Sequence, residues 1–356
     1  MRDFAVAGIP TCRQVKDMTK IKLGGLKLWE GGAQVVVSSV REEQGLAANV
    51  SGPLAAEKIN IILLSHVSGN RWPEGGTALC VTRALGASCS TLLKLSQGEL
   101  ESLRLHTDVS IISIFPHDQR LDIFSRLLVA MVDDGVEVRG LATSPSAIAA
   151  VVSDRTVERS IDTIFRCFEF PSYASAAAWR AGWRRPDRPV AEIIASYEER
   201  LIKTYGVVEE PDLDLWLLLL SFPDIANLGA ALGELSRFGL RLPFLVALPG
   251  AGEKLLCALC VATIATDEVE RILNAHLPGR MFHRWSPVAA LFLHGPHFGD
   301  RHGIAHALIQ TLERSDTEIF ALSCAVSSMS AVISAEDLPA ATGAIESAFS
   351  VSKARG

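Results

Sequence analysis

One local order recurs four times along this chain: strand, helix, strand, strand, helix. Such a recurrence constrains the fold more than any single motif, because each copy is a unit that cannot bury its apolar face alone and needs neighbours of its own kind. The clearest copy begins near residue 108. DVSIISIF reads as a strand, residues 116–120 as a polar turn, and Leu121, Phe124, Leu128 and Met131 recur at helical spacing. VEVRGLATSPSAIAAVV then gives two short strands around Thr-Ser-Pro-Ser. Val157, Ile161, Ile164 and Phe168 mark a second helix behind Ser153 or Asp154 as its N-cap.

The same order starts at Gln34 (AQVVVSSV, LAANVSGPLAAEK, INIILLSHV, TALCVTR, STLLKLSQGELESL). It starts again at Leu213 (LDLWLLLLSF, ANLGAALGELSRFG, LRLPFLVAL, KLLCALCVATI, TDEVERILNAHL) and at Pro287 (PVAALFLH, GIAHALIQTLERSD, TEIFALSCAV, SSMSAVIS, AEDLPAATGAIESAF). The starts lie about 74, 105 and 74 residues apart, with the few-residue error of any boundary read from sequence. The longer middle interval holds PSYASAAAWRAGWRRPDRP and a predicted helix VAEIIASYEERLIKTYG.

The division that follows is residues 1–33 as an N-terminal segment, modules at 34–105 and 106–170, a linker with a connecting helix at 171–210, and modules at 211–284 and 285–356. The predicted class is α+β, four tandem ferredoxin-like βαββαβ modules arranged as two pairs. Helices cover one face of each sheet, and tandem neighbours satisfy the exposed strand edges.

Composition excludes several classes of function. With 49% hydrophobic and 21% charged residues in 356, a core is easily filled and disorder is not expected. A net charge of -6 gives no general pull toward nucleic acid or an anionic membrane. Seven scattered cysteines form no disulfide framework, the N-terminus lacks a leader pattern, and the apolar run 215–220 is too short to span a bilayer, so a cytoplasmic protein is expected. No nucleotide fingerprint and no nucleophile, base and acid set can be assembled, so neither a cofactor nor catalysis is expected.

Three segments carry a resemblance to a known family: GVEVRGLATS (135–144), KINIILLS (58–65) and GGLKLWEGGAQVVVSSV (24–40). They resemble ACT domains, small amino-acid-sensing modules, and in particular the regulatory region of aspartate kinases. The match is closer over residues 24–170 than over 206–356. The glycine-rich, lysine-bearing start of the kinase's catalytic domain has no counterpart here, so the resemblance implies a regulatory chain without kinase activity.

It also implies an effector amino acid between two modules, held by the turn after the first strand, the start of the first helix and the second strand. In the first copy these positions are Glu43, Gln44, Gly45 and Leu46 with Asn60, Ile61 and Ile62. In the second they are His117, Asp118, Gln119 and Arg120, with Val138 and Arg139 on the strand and Thr143 and Ser144 at the hairpin. A turn that opens a helix offers unpaired amides and the positive end of the helix dipole, which suit a carboxylate. The first copy, with Gly45 before its helix, is the better candidate. Pro223-Asp224 and Gly299-Asp300 in the later copies read as helix caps.

Three further features stand outside that pattern. Four of the nine histidines, His294, His297, His302 and His306, fall in residues 294–306, and the i, i+4 spacing of the last two would place both on one helix face. A zinc, nickel or copper site is therefore an alternative function. Cys257 and Cys260 form C-x-x-C, but on a strand they point to opposite faces and cannot chelate. Trp179, Arg180, Trp183, Arg184, Arg185 and Arg188 concentrate in the connector, as an exposed linker or a partner contact. The leading expectation is a non-catalytic protein that binds a small amino acid and reports occupancy to an amino-acid biosynthetic enzyme, with homodimerisation left open. A ligand-free scaffold for protein interaction is the third reading.

Overall fold

The computed structural model describes residues 19–39, 45–69, 72, 74–97, 102–182, 202–295, 301–325 and 328–351. After a short β1 (Ile21–Lys22), the first repeat runs β2 (Gly25–Ser39), α1 (Leu46–Ala56), β3 (Leu63–Val67), β4 (Gly75–Thr82) and α2 (Arg83–Gln97). The second runs β5 (Ser102–Phe115), α3 (Leu121–Asp133), β6 (Val138–Thr143), β7 (Ile148–Ser153) and α4 (Val157–Cys167), closing on β8 (Phe168–Glu169). Helix α5 (Ala176–Gly182) and β9 (Ile202–Thr204) flank the connector. The third repeat is β10 (Gly206–Leu220), α6 (Phe222–Leu235), β11 (Phe244–Pro249), β12 (Leu255–Ala262) and α7 (Thr266–His276). The fourth is β13 (Phe282–His294), α8 (Ile304–Arg314), β14 (Ala321–Ala325), β15 (Ser328–Ser334) and α9 (Leu338–Ala348), followed by β16 (Phe349–Val351).

Three strands from each repeat join one closed antiparallel barrel in the order β10-β12-β11-β6-β7-β5-β2-β4-β3-β14-β15-β13. Tandem repeats meet through their long first strands, β2 with β5 and β10 with β13. Non-tandem repeats meet through β6 with β11 and β3 with β14. Closure removes the free edges that an isolated unit would expose. Outside the barrel lie two helical layers, one centred on the contact of α3 with α6 and the other on the contact of α1 with α8.

The alternating burial expected of a two-sided sheet is visible residue by residue in β12. Leu255, Cys257, Leu259 and Val261 pack with helices, whereas Leu256, Ala258 and Cys260 belong to a cluster built of strand residues that fills the barrel. The C-x-x-C pair therefore straddles the sheet, and burial pushes the Cys257 thiol up to about 12 and that of Cys260 well above its usual value. Both act as small hydrophobes.

The structure departs from the sequence reading in four places. First strands begin earlier than read, at residues 25, 102, 206 and 282, because their first halves pair with the neighbouring repeat's long strand, with Leu28 and Trp285 buried in core clusters. Helix α2 spans Arg83–Gln97, so Ser102 and Leu103 belong to β5 and not to a helix. Of the connecting helix expected over residues 190–206, residues 190–201 lie outside the described set, and Ile202–Thr204 form a strand paired in parallel with β16. Pro223 and Asp224 sit inside the first turn of α6 rather than in a preceding turn.

In the connector, Trp179 is buried against the second repeat, and Arg180 forms ion pairs with Glu158 and Asp162. Trp183, Arg184, Arg185 and Arg188 lie outside the described residues. Among the described residues no helix is long and apolar enough to cross a membrane.

Candidate ligand site between the first and fourth repeats

Helices α1 and α8 begin in the same way. Each is preceded by a glycine in the left-handed region, Gly45 and Gly303, both with φ 79°, followed by Leu46-Ala47 or Ile304-Ala305. Neither N-cap supplies a side-chain hydrogen bond, and neither first turn carries an acidic residue. The amides at each start thus meet no carboxylate of their own helix, where the helix dipole favours one. Glycine suits the left-handed backbone at this position because it has no Cβ to clash.

The α8 start opens into a small cleft, open to solvent, between the two repeats. The first repeat lines it with Ser51 and Ala55 of α1 and with Ile59, Ile61 and Ile62 of the segment entering β3. The fourth contributes Arg301, Gly303, Ile304, Ala305 and His306 around the helix start, and Cys324, Ala325, Ser328 and Met329 from the β14–β15 hairpin. Ser51 Oγ and His306 Nδ1 share a hydrogen bond of 3.0 Å across the boundary. Burial, and then the charge of Arg314, lowers the His306 pKa and favours a neutral ring. Burial pushes the Cys324 thiol up to about 12, so it lines the pocket as an inert neutral group.

Of the residues singled out in the first repeat, Ile61 and Ile62 line this pocket and Gly45 and Leu46 open α1, while Asn60 sits half-buried beside them. Glu43 and Gln44 lie outside the described residues.

The second-repeat candidates are engaged within the chain. His117 is fully buried; its Nδ1 accepts from the Gln119 amide at 3.0 Å and its Nε2 lies 2.8 Å from the Ser144 carbonyl. These two contacts fix the neutral tautomer, and burial lowers its pKa. Asp118 and Gln119 take positive φ, and the Gln119 side chain donates to Glu210 at 3.3 Å. Arg120 pairs with Asp122, and Arg139 with Asp108. Val138 is core. Thr143 Oγ1 both donates to the Leu245 carbonyl and accepts from the Leu245 amide, each at 2.9 Å, sewing β6 to β11, while the Ser144 hydroxyl accepts from the Ala147 amide.

The histidine run is dispersed. His294 ends β13, with Nδ1 2.8 Å from Ser328 Oγ and its ring tilted on Tyr205. His302 precedes α8, and the left-handed Gly303 between it and His306 breaks the helical register that would have placed both on one face. His297 lies outside the described residues, and among those described no three His, Cys, Asp or Glu side chains are grouped to hold a metal ion. Of the fourth repeat's contribution to the pocket, sequence singled out only His306, as a metal ligand; the shared Gly-[Leu/Ile]-Ala at residues 45 and 303 was the available signal for the rest.

No family model matches the chain, and no curated protein matches it in sequence. Among solved structures, aspartate kinase from Synechocystis superposes over 94% of this chain at 16% identity and a TM-score of 0.73. The chain spans 57% of that protein's length. The regulatory subunit of aspartate kinase from Thermus thermophilus matches 41% of this chain and 99% of its own length, at 19% identity and a TM-score of 0.38. Aspartokinase III from E. coli, in complex with lysine and aspartate, matches 42% of this chain and 34% of its own length, at 16% identity and a TM-score of 0.32. The likeness over nearly the whole chain is one of fold.

Proposed function

We propose that this chain is a non-catalytic regulatory protein that binds a small amino acid in the pocket between its first and fourth repeats. The reading treats the repeats as ACT modules at 34–105, 106–170, 211–284 and 285–356, joined as two tandem pairs by β2–β5 and β10–β13. The pocket then lies between the pairs. Occupancy would tighten one of the two contacts that hold them together and shift their relative orientation. A partner enzyme of amino-acid biosynthesis would read that shift.

One observation carries the reading: an uncapped helix start opens into a pocket that a second repeat completes. An amino acid's carboxylate fits the amides of α8, and its side chain fits the wall offered by residues 59–62. A thermal-shift screen of the full chain against the twenty amino acids and divalent metals tests it. Ligand at about a hundredfold over its dissociation constant stabilises by roughly 2.7 kcal/mol, a rise of a few degrees in Tm. A rise with one amino acid or a small set of related ones is expected. No rise with any amino acid overturns the proposal, and a rise with metals alone transfers the function to the histidine-rich turn.

A further inference from the structure

We propose that the pocket selects an amino acid with an uncharged aliphatic side chain and rejects lysine and arginine; the inference rests on the amino-acid-binding reading and adds the ligand's class. The pocket wall is an inventory of chemistry. Ile59, Ile61, Ile62, Ile304 and Met329 present branched or flexible apolar surface, and the polar groups beside them are neutral or cationic. Among the described residues, no aspartate or glutamate lines the pocket. A ligand carboxylate finds helix amides, but a second ammonium or a guanidinium would lose water without gaining a carboxylate partner. An aliphatic chain in the same place gains from each apolar area it covers.

The nearest comparison lies within the molecule. Ala55 stands ten residues after Gly45 on α1, and Glu313 stands ten residues after Gly303 on α8. These are matching positions on the paired helices. A Cβ on Gly303 would lie 3.7 Å from the Ala55 Cβ, and one on Gly45 would lie 3.6 Å from Glu313 Oε1. The two helix starts therefore face opposite chemistries, a methyl group at the pocket and a carboxylate at the other end of the crossing. Along α8, Glu313 lies roughly 13 Å from the helix start, too far to serve a ligand in the pocket.

Isothermal titration of the full chain against leucine, isoleucine, valine, methionine, aspartate, lysine and arginine tests the inference, with Ala55→Glu and Ala55→Gln as variants. Ala55 is on a helix and half-buried, and both replacements are good helix formers, so folding is checked by an unchanged urea midpoint. Wild type is expected to bind an aliphatic amino acid at least about tenfold more tightly than lysine or arginine. Ala55→Glu, whose carboxylate stands beside the α8 start, should weaken every ligand but the basic ones least and so move that ratio toward lysine and arginine, while Ala55→Gln should not. Tightest binding of lysine, arginine or aspartate by wild type, or an unmoved ratio in Ala55→Glu, overturns the aliphatic class and leaves the amino-acid sensor standing. Absence of binding by any amino acid overturns both.

Discussion

The two helical layers solve the same packing problem differently. Where the second and third repeats meet, α6 brings Gly229 and Gly233 against Ser125, Leu128 and Val129 of α3; a Cβ added at Gly229 would lie 2.9 Å from Val129 Cγ2 and 3.1 Å from the Ser125 carbonyl. The helix starts there are supplied with carboxylates from the chain itself. Ser221 donates both its amide, at 3.0 Å, and its hydroxyl, at 2.5 Å, to Asp224 at the start of α6, and Asp122 serves the first turn of α3. Where the first and fourth repeats meet, both helix starts carry glycine and no acid in their own first turn; the α1 start faces Glu313 of α8, whereas the α8 start faces Ala55 and a pocket remains there. One fold thus holds a closed contact and an open one, and the open contact is the one to which the proposal assigns a ligand's carboxylate.

The largest expected effect separates the layers by pH. His66 of β3 is buried with its Nδ1 2.9 Å from Thr77 Oγ1, and burial lowers its pKa to about 4. The unfolded chain takes up this proton near 6.5, so the stability associated with neutral His66 is complete above that pH and is lost as pH falls toward 4. At about 1.4 kcal/mol per pH unit the loss approaches roughly 3 kcal/mol. Urea unfolding at pH 7 and pH 4.5 should show it, and His66→Asn should flatten the dependence by more than half. If His117→Asn flattens it more, the acid-sensitive contact is the closed one and the comparison is reversed.

A second test is steric. Gly229→Val overpacks the α3–α6 crossing and should cost about 1–3 kcal/mol. Gly52→Ala on α1 places its Cβ 3.1 Å from His306 Cε1, a ring that borders the pocket and has room to yield. The helix-propensity gain, up to about 1 kcal/mol, should offset the contact and leave stability within about 0.5 kcal/mol of wild type. Equal losses in the two variants, read as urea midpoints, would mean that both crossings are equally close-packed.

Sequence showed the repeat plainly because apolar spacing changes from helical to alternating within each copy. Leu121, Phe124, Leu128 and Met131 are all buried in α3, and Ile148 and Val151 in β7. The first halves of the long strands were hidden, since residues 102–107 of β5 face a partner strand with side chains only part-covered. Of the candidates read in the first repeat, Ile61 and Ile62 border the pocket, whereas His117 of the second is buried and bonded to its own turn. Its roles toward Gln119 and Ser144 depend on contacts that only the folded turn creates. The pocket's other half, from Gly303 to Met329, comes from a repeat more than two hundred residues away, and no local pattern announces that the barrel will close there.

The smallest predicted effect bears on the cause of the difference between layers. Burial raises the Asp224 pKa, but the hydrogen bonds from Ser221 and Arg280 outweigh it and hold the carboxyl below its usual value. Asp224→Ala should cost about 1 kcal/mol as a lost cap. It should also leave the start of α6 and Arg280 without their anion. If an internal carboxylate is what closes this contact, sodium acetate should restore a few tenths of a kcal/mol to Asp224→Ala relative to sodium chloride at the same ionic strength, and nothing to wild type. Recovery in the variant alone would mean that the two layers share one anion-accepting design, occupied from within in one and left for a ligand in the other. Equal behaviour in both salts would place the difference in packing around Gly229 and Gly233 instead.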